Sequence, residues 1–83
     1  MARPEPPAGT GILIRPTGSI HMMFMRYPID AVFLDRELRI LKVVENLRPW
    51  RFAAQRGAKQ VLELRSGSVS ELGLRVGDEL VVA

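Results

Sequence analysis

The stretch AVFLDRELRILKVVE, residues 31–45, decides the fold. Residues 31–34 and residues 38–45 are apolar runs rich in β-branched side chains, which pack well on a pleated sheet. The polar residues between them, Asp35, Arg36 and Glu37, leave room only for a tight connection. The stretch therefore predicts a β-hairpin, although it lacks the glycine that usually marks such a turn.

The flanking sequence continues this pattern of short apolar runs separated by turn residues. Further strands are expected at residues 12–14, 19–27, 60–64 and 79–82. Residues 47–59, which contain Pro49 and Gly57, have no sustained period and predict a long loop. The chain is therefore expected to be mainly β, a small antiparallel β-sandwich or barrel of five to six short strands.

One short helix is expected near residues 68–72. Ser68 and Glu71 have the spacing of a capping box, in which two side chains satisfy the first free amides of a helix. Gly73 then supplies the residue type at which helices most readily end.

The length and composition of the chain limit its organisation. Its 83 residues suffice for a single domain, expected over residues 11–83 after a flexible proline-rich lead-in at residues 1–10. There is no cysteine, which excludes disulfides, thiolate zinc sites and thiol nucleophiles. The fold must therefore be held by packing of its apolar side chains, and no cofactor or metal is expected.

The basic residues outnumber the acidic ones, 12 to 9, for a formal net charge of +3. Because they are spread along the whole chain, a dedicated nucleic-acid binder is not expected. The proline-rich N-terminus lacks the apolar core of a signal peptide, and no apolar run reaches the length of a membrane span. We therefore expect a cytoplasmic protein that has no membrane partner.

The stretch HMMFMRYPID, residues 21–30, holds the most site-like group of residues. His21 is the only histidine, and the methionines that follow it are soft-metal ligands in other contexts. No second imidazole or thiolate completes such a site, so these methionines are interpreted as core packing. Arg26 and Asp30 flank Pro28, where they could form a turn-stabilising ion pair or present a charged site.

The residues 47–52 alternate cations with aromatic rings. Trp50 is expected to cover the open end of the small core, a position that suits an amphipathic ring. The alternative is single-stranded nucleic-acid binding, in which bases stack on Trp50 and Phe52 between Arg48 and Arg51.

Taken together, these motifs resemble domain-of-unknown-function family 192, an uncharacterised prokaryotic family. The matching runs are GILIRP at 11–16, SIH at 19–21, FMRYPIDAVFLD at 24–35, VVENLRPW at 43–50, GAK at 57–59, VLEL at 61–64 and LGLRVGD at 72–78. The resemblance implies a compact β-sandwich or barrel, and it implies no activity and no catalytic residue.

The resemblance also implies that further elements usually precede the region corresponding to Gly11. Without that N-terminal segment a sheet edge would be exposed, and exposed edges tend to recruit another strand. A homodimer or other homo-oligomer is therefore expected.

The functional hypotheses follow from what the sequence contains and lacks. No motif selects a catalytic pair or a nucleophile, so an enzyme is not favoured. The leading hypothesis is a non-enzymatic binding module for a small molecule or a protein partner, with ligand contacts from His21, Arg26, Asp30 and Trp50. The alternatives are an enzyme of unknown class that uses His21 with a carboxylate, and a weak single-stranded nucleic-acid binder.

Overall fold

The computed structural model of the protein describes residues 10–21, with the backbone alone at position 21, and residues 27–81. The described residues exclude residues 1–9 of the predicted lead-in at 1–10, the methionine run with Arg26, and the last two residues. In chain order the elements are β1 (Gly11–Ile14), β2 (Ser19–His21), β3 (Ile29–Leu34), β4 (Ile40–Leu47), β5 (Phe52–Ala54), β6 (Gln60–Arg65) and α1 (Ser68–Leu72). No helix in this part of the chain is long and apolar enough to cross a membrane.

The strands form two antiparallel sheets. One is four-stranded in the order β1-β6-β3-β4, and β2 and β5 pair separately as a two-stranded ribbon. All six residues of β3 are buried, because the ribbon packs Ile20 and Ala53 on one face of the sheet and α1 packs Val69 on the other. The predicted mainly β fold with one short helix is confirmed, and the sheets do not close into a barrel.

The alternation of side chains along β3 divides the core into two clusters. The cluster beneath the ribbon contains Ile20, Ile29, Ala31, Phe33, Leu47, Ala53, Ala58 and Val61. The cluster on the opposite face contains Val32, Leu34, Ile40, Leu64 and Val69. Because both faces are covered, β3 reads in sequence as a nearly continuous apolar run.

The β3–β4 hairpin is present, and its turn is built without glycine. Oδ1 of Asp35 accepts hydrogen bonds from the backbone amides of Glu37 and Arg39, each at 2.9 Å. Leu38 adopts the left-handed conformation, with φ 66°, that a glycine would adopt at less cost. The short acidic side chain of Asp35 therefore stabilises this turn by bonding to the backbone that follows it.

The predicted loop at residues 47–59 was wrong in one part, because it contains a strand. Phe52–Ala54 forms β5, which pairs with β2 in the register Ser19↔Ala54, Ile20↔Ala53 and His21↔Phe52. A three-residue strand is too short to show a periodic pattern. Its pairing with a segment more than thirty positions earlier is what defines it.

The strand predicted at residues 79–82 is also largely wrong. Glu79 forms an isolated antiparallel bridge with Arg39, and residues 80 and 81 belong to no strand. Leu80 packs instead against the cluster that includes Val69, and its amide donates to the carbonyl oxygen of Leu38 at 2.9 Å. This segment therefore covers the core without joining the sheet.

The helix α1 confirms the predicted helix, but its predicted capping box is wrong. The N-cap residue is Gly67, with φ 97°, and it has no side chain that could accept a hydrogen bond from the first turn. The backbone amides of Gly67 and Val69 donate instead to Oδ2 of Asp30, at 3.0 and 2.9 Å. Gly73 ends the helix as predicted, in the left-handed conformation with φ 68°.

Candidate functional site

Asp30, one of the predicted ligand-binding residues, is buried in β3 and is only 1% exposed. Its Oδ1 accepts a hydrogen bond from the amide of Asn46 at 2.9 Å. Its Oδ2 accepts from the amides of Gly67 and Val69. Both carboxylate oxygens are thus occupied by backbone donors, and the geometry gives Asp30 the role of joining three chain segments.

The contact between Asp30 and Asn46 fixes an irregular part of β4. Asn46 has φ 55°, a conformation that asparagine tolerates better than most residues. Its side-chain Oδ1 accepts a hydrogen bond from the hydroxyl of Ser66 at 2.9 Å. The end of β4 is thereby tied to the turn that precedes α1.

Trp50, the second predicted site residue that is described in full, lies on the surface. Its residue surface is 69% exposed, so the expectation that it covers the core is wrong. It occupies a turn in which the amide of Arg51 donates to the carbonyl oxygen of Arg48 at 3.2 Å. Within this turn Trp50 has φ 68°, in the left-handed region.

The ribbon places a second aromatic residue beside this turn. Phe52 begins β5, is 57% exposed, and lies opposite the backbone of His21. Arg48 and Arg51 are exposed as well. We call the side chains of Arg48, Trp50, Arg51 and Phe52 the aromatic turn.

The four predicted ligand-binding residues therefore differ in their location and in their exposure to solvent. The backbone of His21 is brought next to Phe52 in the aromatic turn, and Arg26 lies outside the described residues. Asp30 is enclosed by backbone amides, whereas Trp50 is open to solvent. A common binding surface of all four residues stays a prediction.

A cleft that the sequence did not indicate lies at one end of the four-stranded sheet. It has a volume of about 440 Å³ and is lined by Arg15, Pro16, Arg36, Lys59 and Gln60. We call it the cationic cleft, because three of its five lining residues carry a positive charge and none carries a negative one.

The strand register brings these residues together from three segments of the chain. Ile14 pairs with Val61 and Leu34 pairs with Gln60, so the ends of β1 and β3 meet the start of β6. The amide of Lys59 donates to the carbonyl oxygen of Leu34 at 2.8 Å. The carbonyl oxygen of Lys59 accepts from the amide of Thr17 at 2.9 Å. The backbone of the cleft is therefore fixed by the sheet.

Two acidic residues, Asp35 and Glu37, flank Arg36 in sequence, and neither lines the cleft. One carboxylate oxygen of Asp35 accepts hydrogen bonds from the amides of Glu37 and Arg39 in the hairpin turn. Arg15, Arg36 and Lys59 are all exposed, so their charges remain hydrated and chemically available. The arrangement is suited to attract an anion.

Gln60 forms the buried side of the cleft wall and is only 4% exposed. Its Nε2 donates to the carbonyl oxygen of Asp35 at 2.9 Å, which fixes the orientation of the amide. Its Oε1 is buried and accepts no hydrogen bond from the described residues. Gln60 thus connects the hairpin turn that carries Arg36 to the strand that follows Lys59.

Metal-ligating residues do not gather anywhere in residues 10–21 and 27–81. No group of three or more histidine, cysteine, aspartate or glutamate side chains there could hold a metal ion.

No local sequence signal marks the cationic cleft. Arg15 precedes a proline, Arg36 lies in a hairpin turn, and Lys59 precedes a strand, so each residue has an ordinary local setting. Only the pairing of β1, β3 and β6 reveals that the three side chains border one space. A correct strand order would have been the signal needed to find them.

The family of the chain follows from comparison with known proteins. The model of domain-of-unknown-function family 192, whose description is "Uncharacterized ACR", matches residues 1–82. The chain belongs to this family. The resemblance seen in the sequence is thereby confirmed, and family 192 has no established activity to transfer.

Curated relatives of this family 192 chain include proteins named UPF0127. One from Thermococcus sibiricus is 39% identical over 67 residues, covering 80% of this chain and 43% of the relative. One from Pyrococcus furiosus is 37% identical over 67 residues, covering 80% of this chain and 57% of the relative. The chain therefore spans about half the length of these relatives.

Two solved structures share the architecture. A protein of unknown function from Novosphingobium aromaticivorans has a TM-score of 0.79 and 23% identity, covering 93% of this chain and 60% of its own. A Sinorhizobium meliloti protein provisionally described as a transcription regulator has a TM-score of 0.68 and 27% identity, covering 86% of this chain and 54% of its own. The first likeness concerns the fold alone.

Proposed function

We propose that this member of family 192 is a non-enzymatic binding module that takes a small anionic molecule in the cationic cleft. One observation carries the proposal: Arg15, Arg36 and Lys59, from three separate segments, line one cleft together with no acidic residue. Like charges repel, and folding that brings them together costs free energy unless an anion or salt compensates. A bound anion would relieve that repulsion.

The chemistry of the lining favours a phosphate or carboxylate group. Guanidinium groups donate paired hydrogen bonds that match the geometry of both anions, and Lys59 adds a point charge. The cleft volume of about 440 Å³ lies in the range of small-molecule sites. A ligand of metabolite size therefore fits the site better than a single halide ion.

The same lining favours binding over catalysis. Its five residues supply two guanidinium groups, one ammonium group, one amide and one proline ring. None of these is a carboxylate, an imidazole or a hydroxyl, which are the groups that most often act as general base or nucleophile. The proposed function is therefore recognition and retention of the ligand.

The proposal can be tested by titrating the protein with inorganic phosphate and with citrate at constant ionic strength, with amide chemical shifts as the readout. We expect saturable shifts that centre on residues 15–16, 35–36 and 59–60. The double variant Arg36→Gln/Lys59→Gln should weaken binding at least about tenfold, because it removes two charge-assisted contacts.

A matched control separates a built site from general charge attraction. Arg56→Gln/Arg75→Gln removes the same net charge from two exposed positions outside the cleft lining. It should leave the affinity within about twofold of the unmodified protein, since neither residue lines the cleft and exposed charges are screened by salt. Equal weakening in both double variants, or no saturable binding of either anion at tens of millimolar, would contradict the proposal.

A further inference from the structure

The aromatic turn is a second candidate surface, separate from the residues that line the cleft. Trp50 and Phe52 are 69% and 57% exposed, and Arg48 and Arg51 are exposed beside them. Two large exposed rings within three positions are unusual, since aromatic residues normally contribute their area to a core or an interface. Because more than half of each residue is exposed, neither ring is buried in the core.

The backbone of Trp50 strengthens this observation. Its φ of 68° is a conformation that glycine adopts at little cost and that a side chain with a Cβ makes unfavourable. The turn therefore holds an indole in a strained conformation while burying less than a third of the residue. Strain of this kind occurs often at ligand-binding positions.

The charges around the rings indicate the type of occupant. Residues 46–55 contain two arginines and no acidic residue. An occupant that lies across this turn meets two cations and two largely exposed aromatic residues. That combination is complementary to a chain that carries phosphates and flat bases alternately.

We propose that the aromatic turn binds single-stranded nucleic acid, with bases stacked on Trp50 and Phe52 and phosphates beside Arg48 and Arg51. A duplex fits less well, because its bases are already stacked and their faces are closed to the rings. An acidic peptide would satisfy the arginines and leave the two rings without planar partners. The proposal does not depend on the anion binding proposed for the cationic cleft.

The size of the surface sets the expected strength of binding. Two arginine–phosphate contacts give a salt slope of about −1.4 for a single strand. Affinity should therefore fall about sevenfold between about 50 and 200 mM salt. Binding at this surface alone is expected to be weak and tolerant of base sequence, because every base offers a stacking face.

The chain contains one tryptophan, so its intrinsic fluorescence reports directly on Trp50. Titration with an octamer of deoxythymidine should quench this fluorescence saturably, with the salt dependence given above. Arg48→Gln/Arg51→Gln should flatten the salt dependence, and Arg56→Gln/Arg75→Gln, with the same loss of charge, should leave it unchanged.

A second readout tests the role of the ring itself. With a dye-labelled octamer followed by anisotropy, Trp50→Gly should weaken binding about tenfold, since a stacked base contributes roughly one to three kcal/mol. Glycine suits the left-handed turn, so this variant is expected to remain folded, and its circular dichroism checks that.

Three outcomes would overturn the proposal. The first is the absence of quenching at millimolar octamer, and the second is an unchanged affinity in Trp50→Gly. The third is equal quenching by a polyglutamate octamer, which would assign the surface to acidic peptides.

Discussion

The carboxylate of Asp30 accepts a hydrogen bond from the backbone amide of Val69, 39 positions later in the chain, at 2.9 Å. A helix of five residues is not stable by itself, because nucleating a helix costs more than so few hydrogen bonds return. The contact supplies the acceptor that the first turn of α1 needs, together with a negative charge beside free amides. The helix therefore exists because β3 delivers Asp30 to its N-terminus.

We expect Asp30→Asn to destabilise the protein by about 2–4 kcal/mol. The substitution replaces one carboxylate oxygen with an NH₂ group, which faces a backbone amide as a second donor. That backbone amide is then buried without an acceptor. Urea unfolding followed by far-UV circular dichroism measures the loss. Glu45→Gln, at an exposed position of β4, is the control and should change stability by less than about 0.5 kcal/mol. A loss below 1 kcal/mol in Asp30→Asn (about the value of one ordinary hydrogen bond) would refute the role assigned to this carboxylate.

Trp50 should respond to substitution in an order set by its backbone conformation. We expect Trp50→Gly to be more stable than Trp50→Ala by about 1 kcal/mol, because only glycine adopts a φ of 68° without a Cβ clash. Thermal unfolding of the two variants gives the comparison. Ser70, which is exposed within α1, provides the opposite control, since there alanine should be the more stable of the two residues. If alanine is more stable than glycine at position 50 as well, the backbone of Trp50 is not held in the left-handed region.

The ribbon is held to the main sheet in part by Lys42. Its Nζ donates to the carbonyl oxygen of Ala54 at 3.0 Å and lies 5.9 Å from the centre of the Phe33 ring. Lys42→Met keeps the apolar stem and removes both interactions, so we expect a loss of about 1–2 kcal/mol. Hydrogen exchange should also become faster in β5 than in β3. Lys42→Arg keeps a cation and should retain most of the stability; if Lys42→Met is as stable as the unmodified protein, packing of the apolar stem is the dominant contribution.

The ion pair between Arg39 and Glu79 should contribute through charge and little else. The two side chains meet at 2.7 Å on the surface, and the hydrogen bond that Arg39 donates to the carboxylate of Glu79 raises the pKa of Arg39 above its ordinary value. A raised pKa stabilises the fold below the unfolded pKa, and this contribution is lost only in strongly alkaline solution. We expect Glu79→Gln to lower the melting temperature slightly at low salt and not at 1 M salt, where screening is nearly complete. A difference that persists in high salt would mean that Glu79 acts through its side-chain hydrogen bond with Arg39 and not through its charge.

The parts of this structure that could be predicted are those that depend on residues close together in the sequence. The apolar runs of β3 and β4 and the polar residues between them predict the hairpin, and Gly73 predicts the end of α1. The strand β5 could not be predicted, because three residues show no period and their partner β2 is remote. The cap of α1 was assigned to Ser68 and Glu71, although Asp30 provides it from the middle of the sheet.

The candidate sites show the same division between local and remote information. The alternation of arginine and aromatic residues at 48–52 could be read directly, and it proved to be exposed. Trp50 was expected to cover the core, and this was wrong because Ile20 and Ala53 of the ribbon pack on that face of the sheet. The cationic cleft was missed because its charges come from positions 15, 36 and 59, which only the strand order brings together.

The cationic cleft also affects how the protein should behave in solution. In the unfolded chain Arg15, Arg36 and Lys59 are far apart, and folding places them around one space. Their mutual repulsion opposes folding, so this end of the molecule should become more stable as the electrolyte concentration rises, whereas the ion pair of Arg39 with Glu79 should weaken. Neutralising Arg36 should then make the empty protein harder to unfold while removing a ligand contact. A substitution of Arg36 would then raise thermal stability and lower anion affinity, a trade-off that is common at binding sites.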